Sequence, residues 1–275
     1  MTAALERSLE VLVCPHCGEA LAHVDRSLRC RNGHDFNVSR QGYVAFTSGG
    51  GPHHQGDTPP MVAARDAFLR AGHYEPIVDA IVADVQGHGW SVELAGGTGY
   101  YLAGVLDRFP GLDGISIDVS KNAARTAART HPRLASITGD VRAKLPIADG
   151  SIDVVLSVFG PRRGDEVARI LAPGGRAIVV TPGPAHLREL RERFALLGIA
   201  DDKQARLDAA MRPLSLGSRS ALEYTVELSA PDVADAILMG PNAFHREVAE
   251  IESLASELVS PFRTTVAVTV SRFDR

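Results

Sequence analysis

Four short runs of apolar and β-branched residues, WSVELA at 90–95, GISID at 114–118, SIDVVLSVF at 151–159 and RAIVVT at 176–181, are separated by helical segments. Strands spaced by helices require crossover connections, so the pattern predicts βαβ units and a parallel sheet with helices on both faces. In LAPGGRAIVV, Pro173, Gly174 and Gly175 are expected to end a helix and turn into the last of these runs. The C-terminal part follows another pattern, in which EYTVELS and FRTTVAVTVSRF alternate like antiparallel strands, with a helical region around Phe244–Leu258 between them. The fold class read from this order is α/β with a mixed sheet.

A chain of 275 residues can bury one large core and an appendage, and 45% hydrophobic with 23% charged residues is the balance of a globular protein. The stretch TSGGGPHHQGDTPP at 47–60 is rich in Gly and Pro without apolar period, which reads as a linker. It divides the chain into a module at 1–46 and a domain at 61–275. A helix is expected after Thr58, with Met61, Ala64, Phe68 and Leu69 as its apolar stripe, and another after Tyr74. No apolar run reaches the roughly 20 residues of a membrane span, and MTAALERSLE lacks a signal-peptide core, so a cytoplasmic protein without membrane partners is expected. The net charge of −4 argues against coating nucleic acid by bulk electrostatics and leaves room for a local basic face.

All three cysteines lie in CPHCGEALAHVDRSLRCRNGH, with the spacing Cys14-x2-Cys17-x12-Cys30-x3-His34. Three cysteines make a poor disulfide set, whereas two short-spaced pairs can close a tetrahedron around one Zn2+. Four protein ligands leave no position for water, so the site is expected to be structural rather than hydrolytic. Around the ligands Arg26, Arg29, Arg31 and Arg40 outnumber Asp25 and Asp35, a surplus of the kind that meets phosphates.

In VELAGGTGYY an acid at a strand end, Glu93, precedes a turn through Gly97, Thr98 and Gly99 that opens a helix. The turn lacks the dinucleotide and P-loop patterns. Two more acids follow at strand ends: Asp118, placed to accept both hydroxyls of a ribose, and Asp140, placed to accept from an adenine amino group. Each alone is an ordinary helix N-cap. Together they look like the binding edge of the class I S-adenosylmethionine methyltransferases, whose cofactor carries cations where a P-loop ligand carries phosphates.

With the zinc module in front of this edge, the sequence resembles the 23S rRNA (guanine-N1)-methyltransferases, one branch of which includes tylosin-resistance enzymes. The resemblance spans nearly the whole chain, through QGYV at 41–44, GD…MVAARDAFLRAGHYEPI at 56–77, DVSK at 118–121, SVFGPR at 157–162, TPGPAHLREL at 181–190 and MGPNAFH at 239–245. It implies a Rossmann-like, mixed seven-stranded sheet, with S-adenosylmethionine as cofactor and an rRNA hairpin as partner; homodimerisation is left open. It further implies that Cys14, Cys17, Cys30 and His34 bind zinc, that Tyr74, Gly97, Thr98 and His186 line the cofactor site, and that Asp118 holds the ribose. Ala95 replaces the first glycine of the usual turn, which requires an ordinary backbone angle there.

Guanine N1 lies on the pairing edge, so the base must leave its stack, and Phe159 with Arg162 is the candidate pair for positioning it. No dedicated base stands out in the sequence. The competing readings are a relative acting on a small metabolite and a non-catalytic zinc-dependent RNA-binding factor.

Overall fold

Strands that read as near-continuous apolar runs are buried on both faces, and this happens at the centre of the large sheet. In a computed structural model, which describes residues 1–46, 56–199, 202–244 and 246–275, eleven strands form two sheets. Strands β1 (Leu21–Val24), β2 (Ser27–Cys30) and β3 (Asp35–Asn37) make a small antiparallel sheet. The others are β4 (Tyr43–Ala45), β5 (Gly89–Leu94), β6 (Leu112–Asp118), β7 (Leu134–Thr138), β8 (Ile152–Val158), β9 (Leu171–Pro182), β10 (Ser215–Leu228) and β11 (Phe262–Asp274). They form one sheet in the order β10-β11-β9-β8-β5-β6-β7-β4. From β9 to β4 all neighbours are parallel, while β11 runs antiparallel to both β9 and β10.

The period-2 alternation of the strands feeds two cores. Val154, Leu156, Val158, Ile178 and Val180 face one side, where Phe68, Tyr74, Ile77, Ile81, Leu102 and Leu106 cover them. Val92, Leu94, Ile115, Ile137, Val155 and Val179 face the other, and there the cover includes Leu5, Leu12, Leu28 and Phe36 of the N-terminal module. The module thus shares a core with the sheet rather than hanging from it. Backbone bonds reinforce the junction: Leu12 bridges to Ile147, Val13 N–H donates to the Pro146 carbonyl at 3.0 Å, and Ala148 N–H donates to Val11 at 2.8 Å.

The sheet differs from the expected seven strands by one. The eighth is β4, which the module contributes and which pairs in parallel with Ser136–Thr138 of β7. Its Val44 is fully buried, and the short strand covers an edge that would otherwise expose unpaired backbone. A second difference concerns Pro173–Gly175, which lie inside β9, where the pairing with β8 is irregular, rather than ahead of a strand. Of the 47–60 stretch, residues 47–55 lie outside the described residues, and Pro59 and Pro60 already open the helix Pro59–Arg70. That helix buries Met61, Val62, Ala64, Phe68 and Leu69, and the helix Glu75–Val82 follows Tyr74 as the sequence indicates. Among the described residues, no helix is long and apolar enough to cross a membrane.

Candidate functional site

Two tight turns bring the metal donors together. In the first, Gly18 N–H donates to the Cys14 carbonyl at 2.8 Å; in the second, Gly33 N–H donates to the Cys30 carbonyl at 3.0 Å. Both glycines are left-handed, with φ of +74° and +83°, which a side chain would resist. The donor atoms of Cys14, Cys17, Cys30 and His34 all lie within 4.8 Å of one another. Cys17 Sγ and Cys30 Sγ are 3.7 Å apart, and His34 Nδ1 is 3.5 Å from Cys14 Sγ and 3.3 Å from Cys30 Sγ. A zinc tetrahedron with Zn–S of about 2.3 Å and Zn–N of about 2.0 Å has edges of roughly 3.8 and 3.5 Å, so the set fits a structural Zn2+. Of the surplus arginines nearby, Arg29 is paired with Asp35 and Arg31 with Glu19.

The second site is a cavity of about 320 Å³ at the C-terminal ends of β5 to β8, where the strand order reverses between β5 and its two neighbours. Open α/β sheets bind ligands at such switch points. Asp118 forms part of the wall. Its Oδ2 accepts from Gly97 N–H at 2.9 Å and its Oδ1 from Ser120 N–H at 2.8 Å. Burial raises its carboxyl, and these two amides oppose the rise. Each oxygen retains a lone pair, the acceptor capacity that two ribose hydroxyls need. Asp140 also lines the cavity, with its Oδ1 accepting from Arg142 N–H at 2.9 Å.

Not every residue expected at the cofactor lines the cavity. Gly97 lines the cavity, whereas Thr98 and Gly99 sit behind the turn: the Thr98 carbonyl accepts from Thr130 Oγ1 at 2.7 Å, and Gly99 caps the helix Tyr100–Arg108. Glu93 is fully buried beneath the turn, where its Oε2 accepts from Leu102 N–H at 3.3 Å. Ala95 does line the cavity, but with φ of +54° its backbone is not the ordinary one its methyl was expected to need. A left-handed alanine costs about 1 kcal/mol. Phe159, at the end of the adjacent strand, is left-handed too, with φ of +56°; the residue is 37% exposed and lines the cavity. Such outliers cluster at functional sites, where packing over-determines the backbone.

Behind Phe159 the remaining candidates gather. Tyr74 and His186 lie 6.2 and 5.4 Å from the Phe159 ring, and the Tyr74 hydroxyl is 3.2 Å from His186 Nε2. Burial pushes His186 down to about 4, helped by the charges of Arg191 and Lys203, so the imidazole is neutral at pH 7. Arg162 donates from Nη1 to the Gly160 carbonyl at 2.8 Å, and its buried Nε has no partner among the described residues. The sequence reading missed Asp57 and Arg65, which pair at 2.8 Å and line the cavity next to Gly97. Ser120 Oγ holds this segment by donating to the Asp57 carbonyl at 2.7 Å. Asp57 and Arg65 both lie in the GD…MVAARDAFLRAGHYEPI stretch at 56–77, which carried the resemblance without a role for either residue.

Glu93 makes stability depend on pH. Burial pushes its carboxyl up to about 8, with the Leu102 amide opposing and the Asp118 charge adding to the rise. Between the ordinary 4.5 and about 8 the folded chain holds a proton that the unfolded chain releases, so this group's contribution falls as pH rises through that window. E93Q is expected to flatten that slope in urea denaturation at a series of pH values. Parallel profiles for the two chains would contradict the assignment.

Comparison with known proteins agrees with both sites. Residues 12–46 match a zinc-ribbon family model described as "RlmA, N-terminal", and residues 92–175 match one described as "Methyltransferase domain". The 23S rRNA (guanine(748)-N(1))-methyltransferase of Streptomyces fradiae is 40% identical over 94% of each chain. A Micromonospora griseorubida protein, named as a candidate 23S rRNA (guanine-N(1)-)-methyltransferase, is 38% identical over 95% of this chain and 96% of its own. In fold, the chain is similar to one in the complex of the Haloferax volcanii Trm112 methyltransferase activator with its methyltransferase partner (TM-score 0.53, 18% identity, 80% of this chain and 98% of that one). The chain is an S-adenosylmethionine-dependent methyltransferase with a structural zinc ribbon, and it belongs to the 23S rRNA (guanine-N1)-methyltransferase family.

Proposed function

We propose that this chain transfers a methyl group from S-adenosylmethionine to N1 of a guanine in 23S rRNA. The observation that carries this reading is similarity over nearly the full length, at 38–40% identity, to proteins named for that reaction. When bound, the cofactor supplies a methyl group on a cationic sulfonium, which is already an activated electrophile. Asp118 would hold its ribose and Asp140 its adenine, while Gly97 and Arg65 lie at the turn beside them.

The target base must leave its stack to expose N1. The half-exposed Phe159 offers a ring face for a purine, with Tyr74 and His186 packed behind it as support. At about 4, the His186 imidazole is too weak a base to serve efficiently near pH 7, so its role is to hold Tyr74 and Phe159 in place. Arg162 directly follows Gly160 and Pro161 of the cavity wall, and a guanidinium presented from that position suits a guanine carbonyl oxygen. A guanidinium there would stabilise the negative charge that reaches O6 as the N1 proton passes to solvent water and the N1 lone pair takes the methyl group. Positioning then supplies most of the acceleration.

Nucleoside mass spectrometry of 23S rRNA from a strain lacking the gene tests the reading. N1-methylguanosine is expected to disappear and to return on complementation, and its persistence would sink the proposal. Guanine 748, named for the Streptomyces fradiae relative, is the first position to sequence. We extend the reading to tylosin-type macrolide resistance: an inhibitory concentration that stays unchanged with the methyl group present would remove this extension alone. For the cofactor site, D118N is expected to weaken S-adenosylmethionine binding about 10- to 100-fold in calorimetry, as loss of a charge-assisted bond worth roughly 1.5–3 kcal/mol implies. Unchanged affinity would move the ribose elsewhere.

A further inference from the structure

A second cleft, of about 360 Å³, opens where the N-terminal module meets the methyltransferase domain. Gln41 of the module, Arg70 at the end of the helix Pro59–Arg70, and Arg125, Thr126 and Arg129 line it. Among the described residues, three arginines and no acidic residue line this space, in a chain whose net charge is −4. Arg125 and Arg129 are exposed, and neither guanidinium has a partner among the described residues. Among the described residues Arg70 is engaged only by Asp66, one turn away at 2.9 Å, and its side chain is 67% exposed, so that pair exchanges readily for another anion.

The arginines are arranged as a track. Lys121, Arg125 and Arg129 recur every fourth residue along the helix Lys121–Ala127 and its C-terminal turn, and all three are exposed. Neighbours at this spacing are about 6 Å apart, and the track extends for about 12 Å. It starts two residues beyond Val119, which lines the cofactor cavity. The module is seated on the same helix: a side chain at Gly42, where φ is +95°, would come within 3.6 Å of Ala128 Cβ and 3.1 Å of Thr2 Cγ2. Gln41 is therefore held beside the arginines by close packing.

We infer that this cleft binds the phosphate backbone of the substrate RNA and leads it from the target nucleotide across the helix to the zinc module. The inference rests on the rRNA reading proposed above. It moves the RNA contact away from Arg29 and Arg31, which are paired on the module's surface, to the junction of the two parts.

The test compares the full chain with the double variant R125Q/R129Q in binding to protein-free 23S rRNA over a range of salt concentrations. A control, R206Q/R263Q, removes two exposed arginines that are already paired with Asp202 and Glu227. Each phosphate contact contributes about 0.7–0.9 to the slope of log affinity against log salt, so R125Q/R129Q is expected to lower it by about 1.4–1.8. The control should keep the native slope, and calorimetry should give all three chains the same affinity for S-adenosylmethionine. A native slope in R125Q/R129Q, or an equal fall in the control, would overturn the cleft while leaving the rRNA reading intact if the native chain binds and methylates the RNA. A native chain that neither binds nor methylates it would overturn both.

Discussion

The zinc ribbon and the central sheet are packed into one hydrophobic core, and the rest of the architecture depends on that packing. Leu5, Leu12, Leu28 and Phe36 fill the same face of the sheet as Ile115, Ile137 and Val155. Outside this core Arg7 grips Asp113 with three hydrogen bonds, at 2.6, 3.1 and 3.2 Å. From the metal ligands a ladder of rings runs outward, His34 to His16 at 4.9 Å, His16 to Phe36 at 5.6 Å, and Phe36 to Phe46 at 4.9 Å. Phe46 directly follows β4, the strand that covers the edge of the sheet. A small module of this size buries too little surface to be stable alone, so its metal and the shared core sustain one another.

At the other end of the sheet, strain is used where chemistry needs fixed positions. Ala95 and Phe159 end adjacent strands in left-handed conformations, and a side chain on Gly160 would come within 2.9 Å of the Ala95 methyl, so the two strand ends meet closely. Asp118 stabilises the intervening turn by accepting from Gly97, while Glu93 supports it from below through Leu102. The carboxylate that would meet the ribose is thus held by backbone amides rather than by a mobile partner. Preorganisation of this kind reduces the ordering cost of binding.

The parallel strands, the C-terminal antiparallel pair and the zinc ligands were legible because each leaves a local mark, namely runs of β-branched residues, alternation and short-spaced donors. That Asp118 and Asp140 reach the cavity wall was legible for the same reason, since Asp118 ends β6 and Asp140 lies two residues past β7, at the spacing of successive βα units. The eighth strand was not: three residues carry no periodicity, and Tyr43–Ala45 become a strand only because β7 has a free edge. Nor did the motif order reveal that Glu93 lies beneath the turn while Gly97 lies at its surface, since period 2 gives the face but not the depth. Asp57 and Arg65 pair locally around the start of one helix, but their place in the cavity depends on that helix packing against the Gly97 turn, a tertiary fact that neither segment records. The gathering of Tyr74, Phe159 and His186 into one cluster has the same origin.

If the ribbon and the methyltransferase domain share one core, removing zinc must loosen more than the ribbon. Hydrogen–deuterium exchange of the full chain before and after chelation reads this directly. The account predicts faster exchange not only over residues 12–38 but also in β4, β7 and the helix Lys121–Ala127, with recovery when zinc is restored. Exchange that changes in residues 12–38 alone would contradict it.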